Sequence, residues 1–505
     1  MTQACKTISL NDTGSLLSNR KACYAAFKAH DARFDGRLFI CVASTGIYCR
    51  PVCKVRTPNE TNCSFQPSAA AAEAAGYRPC LKCRPELAPG HTRADASGRL
   101  ARKASDRIDA DHLAENSLSG LAESLGITDR HLRRVFANEF GVSPVQYLRT
   151  KRLLLAKSLI TDTSLPITDI AFTAGFGSLR QFNDLFRAHY RMTPTLLRRQ
   201  GMPLPRPSRE SITVLVGYRP PYRWDALLSF LKRALTPNVE IVHDDAYIRT
   251  LSVKNGNIFC EGWIAIENRE RQHALAVTIA PSLLPVLPQI LTHVRRMFDT
   301  GCDPHAIFET LSGMNEIMPD ACVTGTRLPG CFSPYELAIR LLLERTLPAR
   351  DFLDAFSFFV SELGERIETP FEDLTRLFPA PETLASRAKS MSRTFARAGI
   401  TPPRIEPTIA LAKSVAAGHI DLSPLSDFET ELSKPQIHSL FDQSALRQLA
   451  MRAYGWPDIL PHADRAVTRF IRSFPANSVD PMLACWSPWR SYVAANLWCR
   501  ANTAG

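Results

Sequence analysis

The sequence predicts a multidomain α+β protein in which helices predominate. Its 505 residues exceed the length at which a single hydrophobic core stops growing, roughly 250–300 residues. Apolar residues recur at helical spacing through residues 100–200 and 333–505. Residues 211–217, 258–266 and 274–279 are instead short β-branched runs, which are typical of strands. We therefore expect two helical regions with a sheet between them.

Three breaks mark the expected domain boundaries. Residues 88–98 are small and polar, as linkers often are. Residues 201–209 contain three prolines and should be extended. A softer boundary is expected near Pro319–Pro329, before the helical pattern that starts at Ser333. These breaks predict four domains, at residues 1–90, 99–200, 210–322 and 325–505.

The positive charge of the chain lies in its first 200 residues. They contain 29 lysines and arginines against 17 acidic residues, whereas residues 201–505 contain 32 of each. This surplus predicts a nucleic-acid-binding surface in the first part, with a merely soluble basic surface as the alternative. There is no apolar run of about 18 residues, and the first 15 residues lack the basic start and apolar stretch of a secretory leader, so none is expected. We therefore expect a cytoplasmic, nucleoid-associated protein with no membrane partner.

Eight of the 14 cysteines lie at or before Cys83. Cys49 and Cys53 form one close pair, and Cys80 and Cys83 form another after 26 intervening residues. Two such pairs can close a tetrahedral site for one Zn²⁺, although buried, unpaired cysteines are the alternative. The remaining early cysteines are expected in the core, with a redox role as the alternative for Cys63. They are Cys5, Cys23, Cys41 and Cys63.

The segments Phe34–Arg37, Ser44–Cys53 and Ala75–Pro85 resemble the zinc domain of the Ada proteins of the adaptive response to alkylation. The resemblance spans about residues 20–87 and implies a small α/β domain with one Zn²⁺ on four cysteines. It also implies that Cys49 is both a zinc ligand and the acceptor of a methyl group from a DNA methylphosphotriester. Methylation would lower the formal charge of the cluster from −2 to −1, which would tighten promoter binding.

Residues 118–136 and 165–187 each predict a helix-turn-helix unit. Gly126 and Gly175 stand at the turns, and Thr128 or Asp129 is placed to cap the helix after the first turn. Two such units, joined by a helix near residues 145–160, resemble the all-α AraC-type DNA-binding domain over about residues 105–200. The resemblance implies double-stranded promoter DNA as a partner and, for an activator, RNA polymerase.

The side chains expected to contact DNA lie on the second helix of each unit. Direct base contact is expected for Arg130, Arg133, Arg180 and Gln181, with phosphate or solvent contacts as the alternative. The whole expected set is Arg130, His131, Arg133, Arg134, Arg180, Gln181 and Arg187.

Residues 218–228, 262–263, 327–340 and 485–498 resemble the AlkA-type 3-methyladenine DNA glycosylases. The resemblance implies a mixed α/β domain followed by an all-α helix-hairpin-helix domain. It also implies that the carboxylate of Asp464 stabilises the developing positive charge on the sugar. Trp498 is implied as an aromatic of the base pocket, with Trp489 and Arg490 in the motif that packs beneath it.

The hairpin departs from the pattern of that family, Leu-Pro-Gly-Ile-Gly-Pro-Trp-Thr-Ala. Residues 438–445 contain no glycine, and Asp442 is placed to repel phosphate. We therefore expect weak duplex binding by this half and slow or undetectable excision of alkylated bases.

Taken together, these features predict an alkylation-damage sensor and transcriptional activator fused to an AlkA-like module. One alternative is a bifunctional repair enzyme whose main role is base excision. Another is a purely regulatory DNA-binding protein with structural zinc. The sequence has no Pro-Cys-His-Arg segment, which argues against reversal of O6-alkylguanine.

Overall fold

The chain separates into two compact units, the first formed by residues 1–207 with 217–219 and the second by 208–216 with 220–505. Each unit contains two of the four predicted domains. Cys5, the predicted linker at 201–209 and all but the first two residues of the predicted linker at 88–98 lie outside the described residues. The computed structural model describes residues 17, 19–89, 99–111, 118–200, 211–397, 400–424, 426–474 and 479–503.

The first unit begins with a small sheet and two helices. Its four strands have the order β3-β1-β2-β4, in which β1 is antiparallel to both β2 and β3, and β2 is parallel to β4. The elements are α1 (Arg20–Lys28), β1 (Phe39–Val42), β2 (Ile47–Cys49), β3 (Cys63–Gln66), α2 (Ala69–Ala74) and β4 (Arg78–Pro79).

The rest of the first unit is helical and contains both predicted helix-turn-helix units. Gly126 (φ +67°) and Gly175 (φ +84°) lie at the two turns, in the left-handed region that favours glycine. Thr128 and Ser178 cap the helices that follow. The helices are α3 (Arg99–Asp111), α4 (Leu118–Ser124), α5 (Asp129–Phe140), α6 (Pro144–Asp162), α7 (Ile167–Thr173), α8 (Leu179–Tyr190) and α9 (Pro194–Gln200).

Helix α2 connects the sheet to this helical region. Its Ala70 and Ala71 belong to the same buried cluster as Leu132 and Phe136 of helix α5. Ser68, which caps α2, also donates a hydrogen bond of 2.7 Å to the carbonyl of Phe140. The cysteine-rich region and the helix-turn-helix region therefore share a core, which explains why they form one unit.

The second unit begins with a sheet of five strands in the order β5-β9-β8-β7-β6. Strands β6 to β9 form an antiparallel meander. The elements are β5 (Ile212–Gly217), α10 (Trp224–Arg233), β6 (Glu240–His243), β7 (Ala246–Asn255), β8 (Ile258–Arg269), β9 (Ala274–Ile279), α11 (Leu287–Met297), α12 (Pro304–Leu311) and α13 (Met314–Ile317).

A helical region completes this unit around a core that includes Phe356, Phe359 and Phe395. Arg249 of the sheet is buried and lies 2.8 Å from Glu336 of the first helix, so an ion pair joins sheet and helices. The helices are α14 (Pro334–Thr346), α15 (Ala349–Leu363), α16 (Pro381–Arg397), α17 (Pro402–Ala416), α18 (Phe428–Leu432), α19 (Pro435–Leu440), α20 (Gln443–Gln448), α21 (Arg465–Ile471), α22 (Val479–Cys485) and α23 (Arg490–Thr503), with a π-helical turn at Leu449–Ala453.

The predicted fold class, α+β with mainly helix, is confirmed. The three predicted strands correspond to β5, β8 and β9, and β8 continues three residues beyond the prediction to Arg269. Strands β6 and β7 were not singled out by the sequence patterns. Residues 319–329 form no helix or strand, as expected of a boundary, yet both sides belong to one unit. Among the described residues, no helix is long and apolar enough to cross a membrane.

Candidate metal centre and nucleic-acid interface

The four predicted zinc-binding cysteines lie together. Cys49 ends strand β2 and Cys80 follows strand β4, and the parallel pairing of these strands places them side by side. Cys53 and Cys83 complete the group, whose four sulfur atoms all lie within 4.8 Å of one another. Four sulfurs bound to a tetrahedral Zn²⁺ at about 2.3 Å would be about 3.8 Å apart. The cluster therefore fits one zinc ion.

The four thiols differ in accessibility. Cys49, Cys53 and Cys80 are buried, with 3%, 1% and 6% of their surface exposed, whereas Cys83 is partly exposed. The backbone N–H of Arg50 donates a hydrogen bond of 3.4 Å to the sulfur of Cys83. Exposure alone thus favours Cys83 as a nucleophile, whereas this hydrogen bond withdraws electron density from its sulfur.

Arg50 holds the cysteine loops in place. Its side chain binds the carboxylate of Asp35 through two nitrogens, one at 2.8 Å, and donates to the carbonyl of Cys83 at 3.1 Å. Burial disfavours the charged guanidinium of Arg50, but the nearby Asp35 carboxylate favours it more strongly. The pKa of Arg50 is therefore raised. Both residues stand in the motifs read from the sequence, but their pairing was not predicted.

The other described cysteines of this region lie in its core, as expected. Cys23, Cys41 and Cys63 are buried. Burial raises the pKa of Cys23 and Cys63, and that of Cys41 to about 12. The thiol of Cys63 lies 3.4 Å from the carbonyl of Asn59. Protonated, enclosed thiols of this kind are poor nucleophiles.

A buried carboxyl group lies between the cysteine centre and the helices. Glu73 of α2 accepts hydrogen bonds from Tyr48, which precedes Cys49, at 3.1 Å and from Thr150 of α6 at 2.7 Å. Burial raises the pKa of Glu73 to about 7 despite these bonds. His189 of α8 lies 3.6 Å away, but burial and the charge of Arg149 lower its pKa, so the neutral imidazole forms no ion pair.

A second buried contact follows Cys83. Lys157 of α6 lies 2.5 Å from Glu86, and the two side chains are 1% and 2% exposed. Arg84 forms two ion pairs, one with Glu86 at 2.9 Å and one with Asp162 at 2.7 Å. Sequence patterns gave no signal for the pairs of Lys157 with Glu86 and of Arg84 with Asp162, because their partners lie more than 70 residues apart.

The first recognition helix, α5, presents its predicted residues as expected. Leu132, Phe136 and Phe140 are buried. Arg130, Arg133 and Arg134 are exposed and His131 is partly exposed. Arg133 forms an exposed ion pair of 2.9 Å with Asp129, and Arg134 lies 3.1 Å from the ring of His131.

The second recognition helix, α8, has the same arrangement. Phe182, Phe186 and Tyr190 are buried, and Leu179 and Leu185 are partly exposed. The predicted contact residues Arg180, Gln181 and Arg187 are all exposed. Among the described residues, Arg180 makes one long contact of 4.0 Å with Asp184, and the side chains of Gln181 and Arg187 make no ion pair or hydrogen bond.

In the second unit, Asp464 and Trp498 lie together. The indole N–H of Trp498 donates a hydrogen bond of 3.0 Å to Oδ2 of Asp464. Oδ1 accepts hydrogen bonds from the backbone N–H groups of Ala466 and Val467, so Asp464 also caps helix α21. Trp498 stacks on Phe230 with ring centroids 5.2 Å apart. Both carboxylate oxygens are thus oriented by the protein.

The segment before Asp464 is fastened by the motif around Trp489. Trp489 is buried, and the next residue, Arg490, binds both oxygens of Asp458 at 2.6 and 2.8 Å. The hydroxyl of Ser491 accepts a hydrogen bond of 3.0 Å from the N–H of Ile459. These contacts fix the loop that carries Asp464.

Helices α19 and α20 form the predicted hairpin, joined by Phe441 and Asp442. Oδ1 of Asp442 accepts a hydrogen bond of 2.9 Å from the backbone N–H of Ala445. A carboxylate of the chain itself thus occupies the start of α20. Arg345 lies 3.9 Å from Asp442, in an exposed contact that balances little of its charge.

Sequence comparisons agree with this architecture. Residues 22–86 match the family described as the metal binding domain of Ada, residues 121–200 match the helix-turn-helix domain, and residues 213–333 match the AlkA N-terminal domain. The four-cysteine cluster lies in the first of these segments, and the protein carries a cysteine-coordinated zinc. The chain is thus a zinc-binding, helix-turn-helix protein joined to an AlkA-like module.

The "Probable bifunctional transcriptional activator/DNA repair enzyme AlkA" of Mycobacterium tuberculosis H37Rv is 31% identical over 493 residues, covering 94% of this chain and 95% of the relative. The chain belongs to that family. DNA-3-methyladenine glycosylase 2 of Escherichia coli K12 is 24% identical, covering 56% of this chain and 95% of the relative. Ada of E. coli K12 is 34% identical over 143 residues, covering 27% of this chain and 39% of the relative.

Two solved structures are also similar to this chain. A methylated N-ADA/DNA complex is 29% identical and covers 26% of this chain and 96% of its own, with a TM-score of 0.13. A 3-methyladenine DNA-glycosylase from Archaeoglobus fulgidus is 12% identical and covers 56% of this chain and 97% of its own, with a TM-score of 0.44.

Proposed function

We propose that the protein senses alkylation damage and activates transcription by accepting a methyl group from a DNA methylphosphotriester on Cys49. The observation that carries this proposal is the convergence of four cysteine sulfurs within 4.8 Å, in a segment that matches the metal binding domain of Ada. The helix-turn-helix region shares a core with that segment. Damage recognition and promoter binding therefore reside in one unit.

Bound zinc keeps its cysteine ligands as thiolates at neutral pH. The sulfur of Cys49 attacks the methyl carbon, an S–CH₃ bond forms, and the O–CH₃ bond breaks. The electron pair of the broken bond stays on the phosphate oxygen, which leaves an ordinary phosphodiester anion. The thioether product is not reversed by any group in the chain, so each molecule accepts one methyl group and does not turn over.

Two observations bear on which sulfur reacts. Cys83 is the most exposed of the four, but it accepts the hydrogen bond from Arg50, which lowers its nucleophilicity. Cys49 has no such bond among the described residues and is the acceptor that the resemblance to Ada implies. We assign the methyl transfer to Cys49 on these grounds, with DNA binding opening access to its buried sulfur.

Methylation changes the charge that the centre presents to DNA. The formal charge of zinc with four thiolates is −2, and it falls to −1 when one thiolate becomes a thioether. The weaker repulsion of phosphate strengthens promoter binding through the two recognition helices. We infer that the activated complex then contacts RNA polymerase. The protein would act at the nucleoid, in the cytoplasm.

Peptide mass spectrometry tests this assignment in the full-length protein. After incubation with DNA that contains methylphosphotriesters, one added CH₂ is expected on the peptide with Cys49. Cys49→Ser should abolish the transfer, whereas the matched ligand variant Cys83→Ser should retain it at Cys49. Zinc content, measured in both variants, separates loss of the nucleophile from loss of the metal. Methyl on Cys83 in the wild type would overturn the assignment.

A second activity is supported by the contact between Trp498 and Asp464. We propose that this pair forms a remnant or slow base-excision site, in which the carboxylate faces the developing positive charge on the sugar. The hairpin argues against efficient excision, because Asp442 already occupies the amide that an anion would use. Excision is therefore secondary to sensing.

A further inference from the structure

Helix α21, which begins directly after Asp464, has one buried and one strongly basic face. Val467 and Phe470 are buried on one side. Arg465 and Arg469 are exposed on the other side, and the exposed Arg472, the cap residue that follows the helix, continues their row, because residues separated by four and seven positions lie on the same face of a helix. We call this set, Arg465, Arg469 and Arg472, the arginine stripe.

The stripe is not used for internal structure. Among the described residues, none of its three guanidinium groups has an ion-pair or hydrogen-bond partner. Other arginines of the same unit are paired, including Arg249 with Glu336 and Arg490 with Asp458. Three unpaired like charges on one face repel one another, so a polyanionic partner would stabilise this surface.

A further arginine, Arg447, lies on the hairpin, which the loop before Asp464 links to helix α21. Thr468 of α21 donates a hydrogen bond of 2.7 Å to the carbonyl of His462. His462 in turn lines a pocket of about 250 Å³, together with Arg447 of helix α20. The guanidinium of Arg447 has no hydrogen-bond or ion-pair partner among the residues that the structure describes. The helix that carries the stripe is thus bonded to the loop before Asp464, and that loop shares a pocket with the hairpin.

We propose that the stripe, with Arg447, binds the phosphodiester backbone of duplex DNA in place of the hairpin amides. This inference rests on the proposed function only in that DNA is the polyanion that the protein meets. The seven steps from Arg465 to Arg472 rise about 10 Å at 1.5 Å per residue, which matches three base-pair steps of about 3.4 Å each. Its position beside Asp464 would hold a duplex at the excision site without the hairpin.

The test uses the full-length protein and a 30-base-pair duplex without methylphosphotriesters or a promoter site. Arg465→Gln/Arg469→Gln/Arg472→Gln should reduce the slope of log affinity against log salt by about 2–3, since each phosphate contact contributes about 0.9. The matched control Lys254→Gln/Arg269→Gln/Arg271→Gln removes the same charge from exposed positions of the sheet region and should leave the slope unchanged. The variant Arg465→Lys/Arg469→Lys/Arg472→Lys keeps the three charges and should retain most of the slope.

A local measurement distinguishes the stripe from the recognition helices. Duplex DNA should protect Arg465, Arg469 and Arg472 of the wild type from phenylglyoxal, as read by peptide mass spectrometry. Polyglutamate or single-stranded RNA at the same phosphate or carboxylate concentration should protect them less. Equal labelling with and without duplex, an unchanged salt slope in the triple variant, or stronger protection by polyglutamate or RNA would each overturn the proposal.

Methyl transfer to Cys49, measured in a parallel incubation of the same protein preparations with DNA that contains methylphosphotriesters, reports separately on the proposed function. Protection of the stripe without methylation of Cys49 would refute the sensor and leave the stripe intact. Methylation of Cys49 without protection of the stripe would refute only the binding of duplex DNA by the stripe.

Discussion

Thr150 of helix α6 donates a hydrogen bond of 2.7 Å to the carboxyl group of Glu73, which is buried on helix α2. Tyr48 donates to the same carboxyl group from the strand that ends at Cys49. The zinc centre and the DNA-binding helices are thus joined through a polar group in the interior, where an unsatisfied partner is costly.

Glu73 makes the stability of the first unit depend on pH. Its pKa is about 7 in the folded protein against an ordinary value of 4.5, so between these values the folded state retains a proton that the unfolded state has lost. Stability therefore falls as pH rises from about 4.5 to 7, by up to roughly 3 kcal/mol. We expect Glu73→Gln to remove this part of the decrease.

The measurement is urea unfolding at pH 5 to 8. Pulsed hydrogen exchange in peptides from residues 63–87 detects the unfolding of the first unit. The quantity to compare is the difference between wild type and Glu73→Gln, because stability depends on pH through other groups as well. Parallel curves for the two proteins would show that Glu73 keeps an ordinary pKa.

Lys157→Met is expected to destabilise the first unit by about 3–5 kcal/mol, because it leaves the buried carboxylate of Glu86 with only Arg84. Lys151→Met is the matched control. Lys151 forms an ion pair of 2.7 Å with Asp109, but these two side chains are 35% and 23% exposed. We expect a loss of under about 1 kcal/mol there. Equal losses in urea unfolding would contradict the role of burial.

The exposed arginines of the recognition helices should differ in what they read. If Arg180 contacts a base, Arg180→Ala costs about 1–3 kcal/mol of promoter affinity and relaxes the preference at one base pair. If Arg187 contacts phosphate, Arg187→Ala weakens binding uniformly and lowers the salt slope by about 1. Binding titrations on a set of single-base promoter variants distinguish the two. A uniform loss in Arg180→Ala would assign Arg180 to phosphate.

Methylation of Cys49 should tighten promoter binding by the full-length protein, and more strongly at low salt, where phosphate repulsion is least screened. Titrations of methylated and unmethylated protein at two salt concentrations measure this. The unreactive Cys49→Ser, carried through the same methylation step, controls for methyl groups elsewhere. Equal affinity before and after methylation would remove the charge switch.

Release of 3-methyladenine or 7-methylguanine should be slow or undetectable, and Asp464→Asn should abolish any release. The matched change Asp442→Asn replaces another carboxylate that caps a helix. It should leave the fold intact, because asparagine caps as well as aspartate, and it should not lower release. Rapid release by the wild type would mean that the hairpin is not limiting, and activity in Asp464→Asn would place the carboxylate elsewhere.

Local sequence patterns determined several features of this protein. Short spacings predicted the two cysteine pairs, and apolar periodicity with Gly126 and Gly175 predicted both helix-turn-helix units. These features depend on residues a few positions apart, whose geometry the backbone fixes directly. The same patterns marked Asp442 as unfavourable for phosphate, and the structure adds that its carboxylate caps the following helix.

Only the tertiary structure decided which distant residues meet. Glu73 binds Thr150 across 77 positions and Lys157 binds Glu86 across 71, and periodicity specifies a buried face without naming its partner. The sequence likewise showed 32 basic and 32 acidic residues in the second half, but not that the arginines of the stripe have no ion-pair partner in the described part of the chain. Pairing depends on the folded positions of all the acidic groups. The charge of a surface is therefore a property of the fold, whereas the charge of a chain can be counted from its sequence.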